Sequence, residues 1–193
     1  MPRKPRVEAL GGIQHVIARG NAGVRIVADD VDRRALVAAL GSVSERNSWL
    51  VHAYCLMDTH LHAVIETSEP NLGQGMQRLL GGYAYGFNRR HGRYGRLFAG
   101  PFKASLVDSE AYAFQLAAYV VLNPVRAGLV SDPADWPWSS YRATAGLVKA
   151  PEFLETRLTL GMLHQDVQRA RELYRELVRE GAQVLTNLTP RSG

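Results

Sequence analysis

The chain has 193 residues, 46% of them hydrophobic and 21% charged, a globular balance that excludes a disordered or collagen-like polymer. Twenty-three Lys and Arg against 18 Asp and Glu leave a formal net charge of +5, which favours a polyanionic partner such as nucleic acid or an anionic membrane. A single cysteine, Cys55, excludes a disulfide framework, no stretch reaches the roughly 18–20 apolar residues of a membrane span, and no apolar signal core follows the basic start. These features point to a cytoplasmic protein.

Residues 12–19 (GIQHVIAR) alternate and are rich in Ile and Val, which predicts a first strand ended by Gly20-Asn21. Asp29 and Asp30 open a helical pattern in which Val31, Ala35, Leu36, Ala39, Leu40 and Val43 recur at three- and four-residue steps. Acidic residues at that start also suit the helix dipole. Residues 49–57 and 61–67 read as two strands joined by a tight Asp58-Thr59 turn, a hairpin. Residues 71–88 predict a helix despite their glycines. Residues 97–107 predict a fourth strand, with Pro101 confining part of it to an edge or bulge. Asp108-Ser109-Glu110 starts a helix that Asn123-Pro124 ends, because a residue before proline avoids the helical region. A connector rich in Pro and Trp spans 132–141. Residues 166–179 then form an amphipathic helix with Val167, Ala170, Leu173, Tyr174, Leu177 and Val178 on one stripe, which serves either internal packing or a dimer interface.

Strand, helix, hairpin, helix, strand, helix is the order of a ferredoxin-like α+β fold, an RRM-like antiparallel sheet with the helices on one face. Residues 1–142 make the main domain, and 143–193 make a C-terminal helical extension whose last five residues have a disordered composition.

The charge is concentrated. Residues 70–107 contain no Asp or Glu but carry Arg78, Arg89, Arg90, Arg93, Arg96 and Lys103, so the rest of the chain is close to neutral. Tyr83, Tyr85, Phe87, Tyr94, Phe98 and Phe102 are interleaved with them. Cations that hold phosphates beside rings that stack on bases suit a single-stranded nucleic-acid groove, with Tyr85 and Tyr94 as stacking candidates. The competing reading is a solvated basic face whose aromatics belong to the core. Arg3, Lys4 and Arg6 are the second candidate for phosphate contact.

His60-Leu61-His62 opens the second hairpin strand, and alternation puts both imidazoles on one face of the sheet. Two histidines so placed can chelate one divalent ion, although packing or surface histidines give the same pattern. Parity sets Cys55 opposite His52 in direction, so the local sequence offers no closed tetrahedral zinc set. Tyr119 and Asn123, four apart, share a helix face. Asn123 offers a hard amide oxygen suited to Mg²⁺ or Mn²⁺, with Tyr119 a nucleophile poised over the ion. The alternative makes Tyr119 a core residue and Asn123 a helix C-cap.

The string at 53–62, AYCLMDTHLH, resembles the HUH segment of single-tyrosine transposases of the insertion-sequence-200-like superfamily. The string at 119–128, YVVLNPVRAG, is similar to the nucleophile helix of their REP-associated branch. Arg19-Gly20-Asn21, Asp32-Arg33-Arg34 and Trp138-Ser139-Ser140-Tyr141 fit the same family in the same order, so the resemblance runs from about residue 12 to residue 142. It implies a metal-dependent endonuclease and strand transferase acting on single-stranded DNA with hairpin, inverted-repeat ends. It further implies His60 and His62 as ligands of Mg²⁺ or Mn²⁺, Asn123 as the third ligand and Tyr119 as the nucleophile, with a 5′-phosphotyrosine intermediate. Two positions depart from the family. Asp58-Thr59 stands where Pro-Asn is usual, in the turn that aims the histidines, and Pro101 stands where arginine is usual.

Two other classes compete. A non-catalytic module that binds single strands on aromatics would not need His60, His62, Tyr119 and Asn123 together. A zinc hydrolase would need a third strong ligand and an open water site. Tyr112, one heptad before Tyr119, is the rival nucleophile.

Overall fold

The computed structural model describes residues 12–188; Arg3, Lys4, Arg6 and the tail at 189–193 lie outside the described residues. Strands β1 (Ile13–Arg19), β2 (Trp49–Leu56), β3 (His60–Thr67) and β4 (Lys103–Val107) form one sheet in the order β2-β3-β1-β4. Every neighbouring pair is antiparallel. Helix α1 (Asp30–Arg46) links β1 to β2, and α2 (Leu72–Arg90) links β3 to β4, so the ferredoxin-like α+β order predicted above is the observed one.

Local chemistry sets these elements. Asp29 caps α1, its carboxylate accepting from the N–H groups of Val31 and Asp32. In α2, Gly75 lets the helix close onto the sheet, since a Cβ there would strike the indole of Trp49. That indole in turn donates to Asn71 Oδ1 at 2.6 Å.

The two faces of the sheet carry separate cores. Val16, Leu56, Leu61 and Ile65 pack against Leu36, Leu40, Met76 and Leu79 of α1 and α2. On the opposite face Cys55, Val64 and Val107 meet Ala113, Leu116 and Val120 of α3 (Glu110–Val121). The single-face arrangement therefore holds for α1 and α2, while α3 takes the other face.

Three boundaries differ from the sequence reading. Strand β4 begins at Lys103 rather than near residue 97, and Phe98 keeps only an isolated bridge to Gly20. Gly100 at φ 152° and Pro101, which has no N–H to give, break the strand pattern between them. Asn123-Pro124 does not simply end a helix. After α3 a second short helix, α4 (Asn123–Arg126), starts with the proline in its first turn, where a missing N–H costs nothing. The short helices α5 (Tyr141–Thr144) and α6 (Arg157–Gly161) gave no periodic signal, and the last helix, α7 (Val167–Leu188), outruns its predicted end.

Helix α7 buries Ala170, Tyr174 and Val178 against Leu122, Val125 and Tyr141, so internal packing uses much of its stripe, while Val167 and Leu177 stay exposed. The 138–140 segment lines the outer edge of β2: Leu56 N–H donates to Trp138 O and Ser140 N–H to Tyr54 O. Among the described residues no helix is long and apolar enough to cross a membrane.

Candidate active site

Strand parity builds the site. Burying Leu61, Ala63 and Ile65 under α1 and α2 sends His60 and His62 to the α3 face. In the β1–β3 register Arg19 lies opposite His60 and Ile17 opposite His62, so His15 and Arg19 share that face. Lys103, paired with Ile17 across β4, belongs to it as well.

The histidines form one cluster. The His60 and His62 rings meet edge to face at a centroid distance of 4.9 Å, and His15 stacks on His62 at 5.3 Å. His15 Nε2 lies 3.1 Å from His62 Nδ1, and Thr59 Oγ1 lies 2.9 Å from His60 Nδ1. Both Nδ1 atoms are thus engaged, leaving both Nε2 atoms for a ligand. Burial lowers the pKa of His15, and burial followed by the Arg19 charge lowers that of His60. His62 is pushed down to about 3, first by burial and then by His60, His15, Arg19 and Arg126. Neutral imidazoles with a free lone pair are what a metal site needs.

Helix α3 runs back across the sheet toward these histidines. It starts just after Val107, which pairs with Ile13 at the far end of β1, and finishes at the end where Arg19 faces His60. Tyr119 lies in its last turn and is 39% exposed, enough for a substrate to reach it. Tyr112 is seven residues earlier, about 10 Å farther from the histidine end at 1.5 Å per residue. The Arg126 guanidinium lies over the Tyr119 ring, 4.4 Å from its centroid, and its charge also acts on His62. It therefore links the tyrosine to the histidines.

Asn123 donates through Nδ2 to the carbonyl oxygens of Val120 at 2.9 Å and Tyr119 at 3.4 Å. The helix-capping role is real, and it fixes the amide: carbonyls accept only, so Nδ2 faces the helix and Oδ1 faces away. Among the described residues no group of three or more His, Cys, Asp or Glu is placed to hold a metal. The ligand set expected from the sequence is two imidazole nitrogens, of His60 and His62, and the amide oxygen of Asn123. Mixed nitrogen and oxygen donors of that kind fit Mn²⁺ more readily than Mg²⁺. Cys55 is fully buried and its thiol pKa is raised by burial, so it offers no thiolate.

The basic segment is divided. Only Lys103 joins the histidine face. Arg89, Arg93, Arg96 and Tyr94 come to the same end of the sheet, because α2 ends there and the following loop donates to and accepts from Arg19 and Asn21. Arg78 lies eleven residues up α2 from Arg89, about 16 Å away. Arg90 is not free for phosphate. Its guanidinium holds Asp29 at 2.6 and 2.9 Å and Asp32 at 2.6 Å, tying α2 to the start of α1. Arg93 lies 5.7 Å over the Phe87 ring. Tyr83, Phe87, Phe98 and Phe102 are core, as the competing reading of the aromatics expects, whereas Tyr85 is 71% and Tyr94 97% exposed.

Other motif residues turn out to be scaffolding. Gly20 is required because a Cβ would collide with Val24 O. Asp32 is buried and accepts from Ala28 N–H, Arg90 and His91. Asp58 binds Arg25 and Arg33, each at 2.6 Å, so the departing Asp58-Thr59 turn is pinned on one side and supports His60 on the other. Pro101 lines a groove of about 580 Å³ between α2 and the 96–102 loop, away from the histidines. The sequence reading gave His15, Arg19 and Arg126 no site role. The available signals were strand parity for the first two, and the places of Arg19 and Arg126 within the motif strings at 19–21 and 119–128.

One solved structure, of a REP-associated tyrosine transposase bound to a REP hairpin, superposes with a TM-score of 0.65 at 16% identity, covering 78% of this chain and 89% of that one. The two chains share a fold. A crystal structure of a protein described as a transposase from Deinococcus radiodurans R1 matches at a TM-score of 0.43 and 17% identity, covering 62% of this chain and 95% of that one. No family model and no curated protein matches the sequence.

Proposed function

We propose that the protein is a metal-dependent endonuclease and strand transferase, of the HUH tyrosine type, that cuts single-stranded DNA at hairpin-bearing repeats. The observation that carries this reading is Tyr119 brought by α3 to the His60–His62 end of the sheet, with Arg126 linking the two. The fold it shares with a transposase whose structure holds a REP hairpin supports the same substrate class. The setting is the cytoplasm, with the DNA.

The donor set described above suits a divalent ion. Mg²⁺ or Mn²⁺ held by His60, His62 and Asn123 would supply Lewis-acid polarisation of the scissile phosphate. Thr59 and His15 engage the Nδ1 atom of each ring, which leaves Nε2 as the ligating nitrogen, the usual task of groups behind metal-binding histidines. The Tyr119 oxygen attacks phosphorus, its proton leaves to solvent, and the bond to the 3′-oxygen breaks as that oxygen takes up a proton. One phosphoester replaces another, so the 5′-phosphotyrosine conserves the bond and a second 3′-hydroxyl can reverse the step to join strands.

The experiment is a denaturing gel with labelled oligonucleotides that span the inverted repeats nearest the gene. Wild type should give a protein–DNA adduct and Tyr119→Phe none, while the variant still binds. An adduct that persists in Tyr119→Phe and vanishes in Tyr112→Phe would overturn the assignment.

A further inference from the structure

The histidine face is positively charged. Around His60 and His62 stand Arg19, opposite His60 in the β1–β3 register, and Arg126, over the Tyr119 ring. Neither arginine has a carboxylate partner among the described residues, in contrast to Arg25, Arg33 and Arg90, which are all neutralised by aspartates. The nearest acidic side chain by sequence, Asp58, is spent on Arg25 and Arg33. The donors available to an ion, two imidazoles and one amide, are all neutral. A divalent cation entering this place would meet two like charges and no compensating negative one.

We infer that Arg19 and Arg126 form a guanidinium clamp for the scissile phosphodiester, and that this phosphate and the metal ion bind as a unit, each raising the affinity for the other. The phosphate supplies the negative charge that the ligand set lacks, and the arginines hold it where the ion and Tyr119 both reach it. The inference rests on the proposed metal site. By linkage the coupling is reciprocal, so the same factor must appear in both binding constants.

The test uses full-length Tyr119→Phe protein, which cannot cleave. Mn²⁺ binding is followed by the loss of its free-ion paramagnetic resonance signal, with and without a saturating single-stranded oligonucleotide. The oligonucleotide should tighten Mn²⁺ binding at least tenfold, and Mn²⁺ should tighten oligonucleotide binding by the same factor. Arg126→Gln or Arg19→Gln should bind Mn²⁺ more tightly than the parent without DNA, and the coupling factor should shrink. A merely structural role would weaken both, and Arg126→Lys, which keeps the charge, should restore much of the coupling. Equal Mn²⁺ affinity with and without DNA overturns the clamp and leaves the metal site standing. No Mn²⁺ binding in either state, with adduct still formed by wild type in chelator, overturns both.

Discussion

Arg89→Ala and Arg90→Ala, made singly, test whether intramolecular partners decide which cations of the 70–107 segment are left for DNA. Arg90 is held by Asp29 and Asp32, whereas Arg89 is exposed and has no ion pair among the described residues. Asp32 is 3% exposed and takes donors from Ala28 N–H, Arg90 and His91. Stripping that carboxylate in Asp32→Ala leaves a backbone donor unmatched, at a cost of about 1–3 kcal/mol. For a chain of this length that is a fall in Tm of about 2–12 °C. Arg90→Ala should lower Tm in the same direction but by less, because His91 still faces Asp32, and should leave the salt dependence of DNA binding unchanged. Arg89→Ala should leave Tm alone and make the slope of log Kobs against log salt shallower by about 0.7, one single-strand phosphate contact. Thermal unfolding and fluorescence anisotropy with a labelled single strand read the two quantities. Unchanged Tm in Arg90→Ala together with a slope shallower by about 0.7 would refute the reasoning and return Arg90 to the DNA surface.

His60→Ala and His62→Ala should each abolish cleavage, and Asn123→Ala should cost less because water can replace a neutral amide oxygen; full activity in excess chelator would contradict the site. Tyr85→Ala and Tyr94→Ala, if these exposed rings stack on bases, should weaken single-strand binding by about 1–3 kcal/mol each without moving the salt slope; unchanged affinity would remove them from the DNA path. Acid should unfold the protein through the α1–α2 tie. The Arg90 hydrogen bond holds Asp29 below the ordinary carboxyl pKa, and for Asp32 burial pulls upward but is outweighed by Ala28 N–H, His91 and Arg90. Folded values below unfolded ones give stability that is present above about pH 4 and lost as pH falls through the folded values. Tm should decline as pH falls below about 6.5, because the buried His15, His60 and His62 resist protonation, and drop further below about 4 through Asp29 and Asp32. Asp32→Asn should flatten only the lower drop, and equal slopes below about pH 4 in both proteins would assign that part of acid unfolding elsewhere.

Much of this molecule is local, and the sequence alone determined it. Alternation in 12–19 and the short apolar runs at 49–57 and 61–67, joined by a tight turn, specify three of the four strands; β2 and β3 read as runs because the sheet is covered on both faces and they are buried along most of their length. The two-residue strand period puts His60 and His62 on one face, and the helical period puts Tyr119 and Asn123 together. Chain order then restricts the topology to a few choices, of which the ferredoxin-like one is realised. The tertiary structure decided what depends on partners distant in sequence. Arg90 lost its predicted role to Asp29 and Asp32, some 60 residues away, since a buried carboxylate takes the nearest guanidinium before solvent phosphate can. His15 gained a role only because the β1–β3 register sets its Nε2 against His62 Nδ1, 47 residues on. The course of α3 puts Tyr119 nearer than Tyr112 to the histidine end of the sheet, which the ranking of the two by sequence could not show. Hydrophobic period is written in each segment, but charge pairing and register are settled between segments, so the fold was legible first and the site was completed by packing.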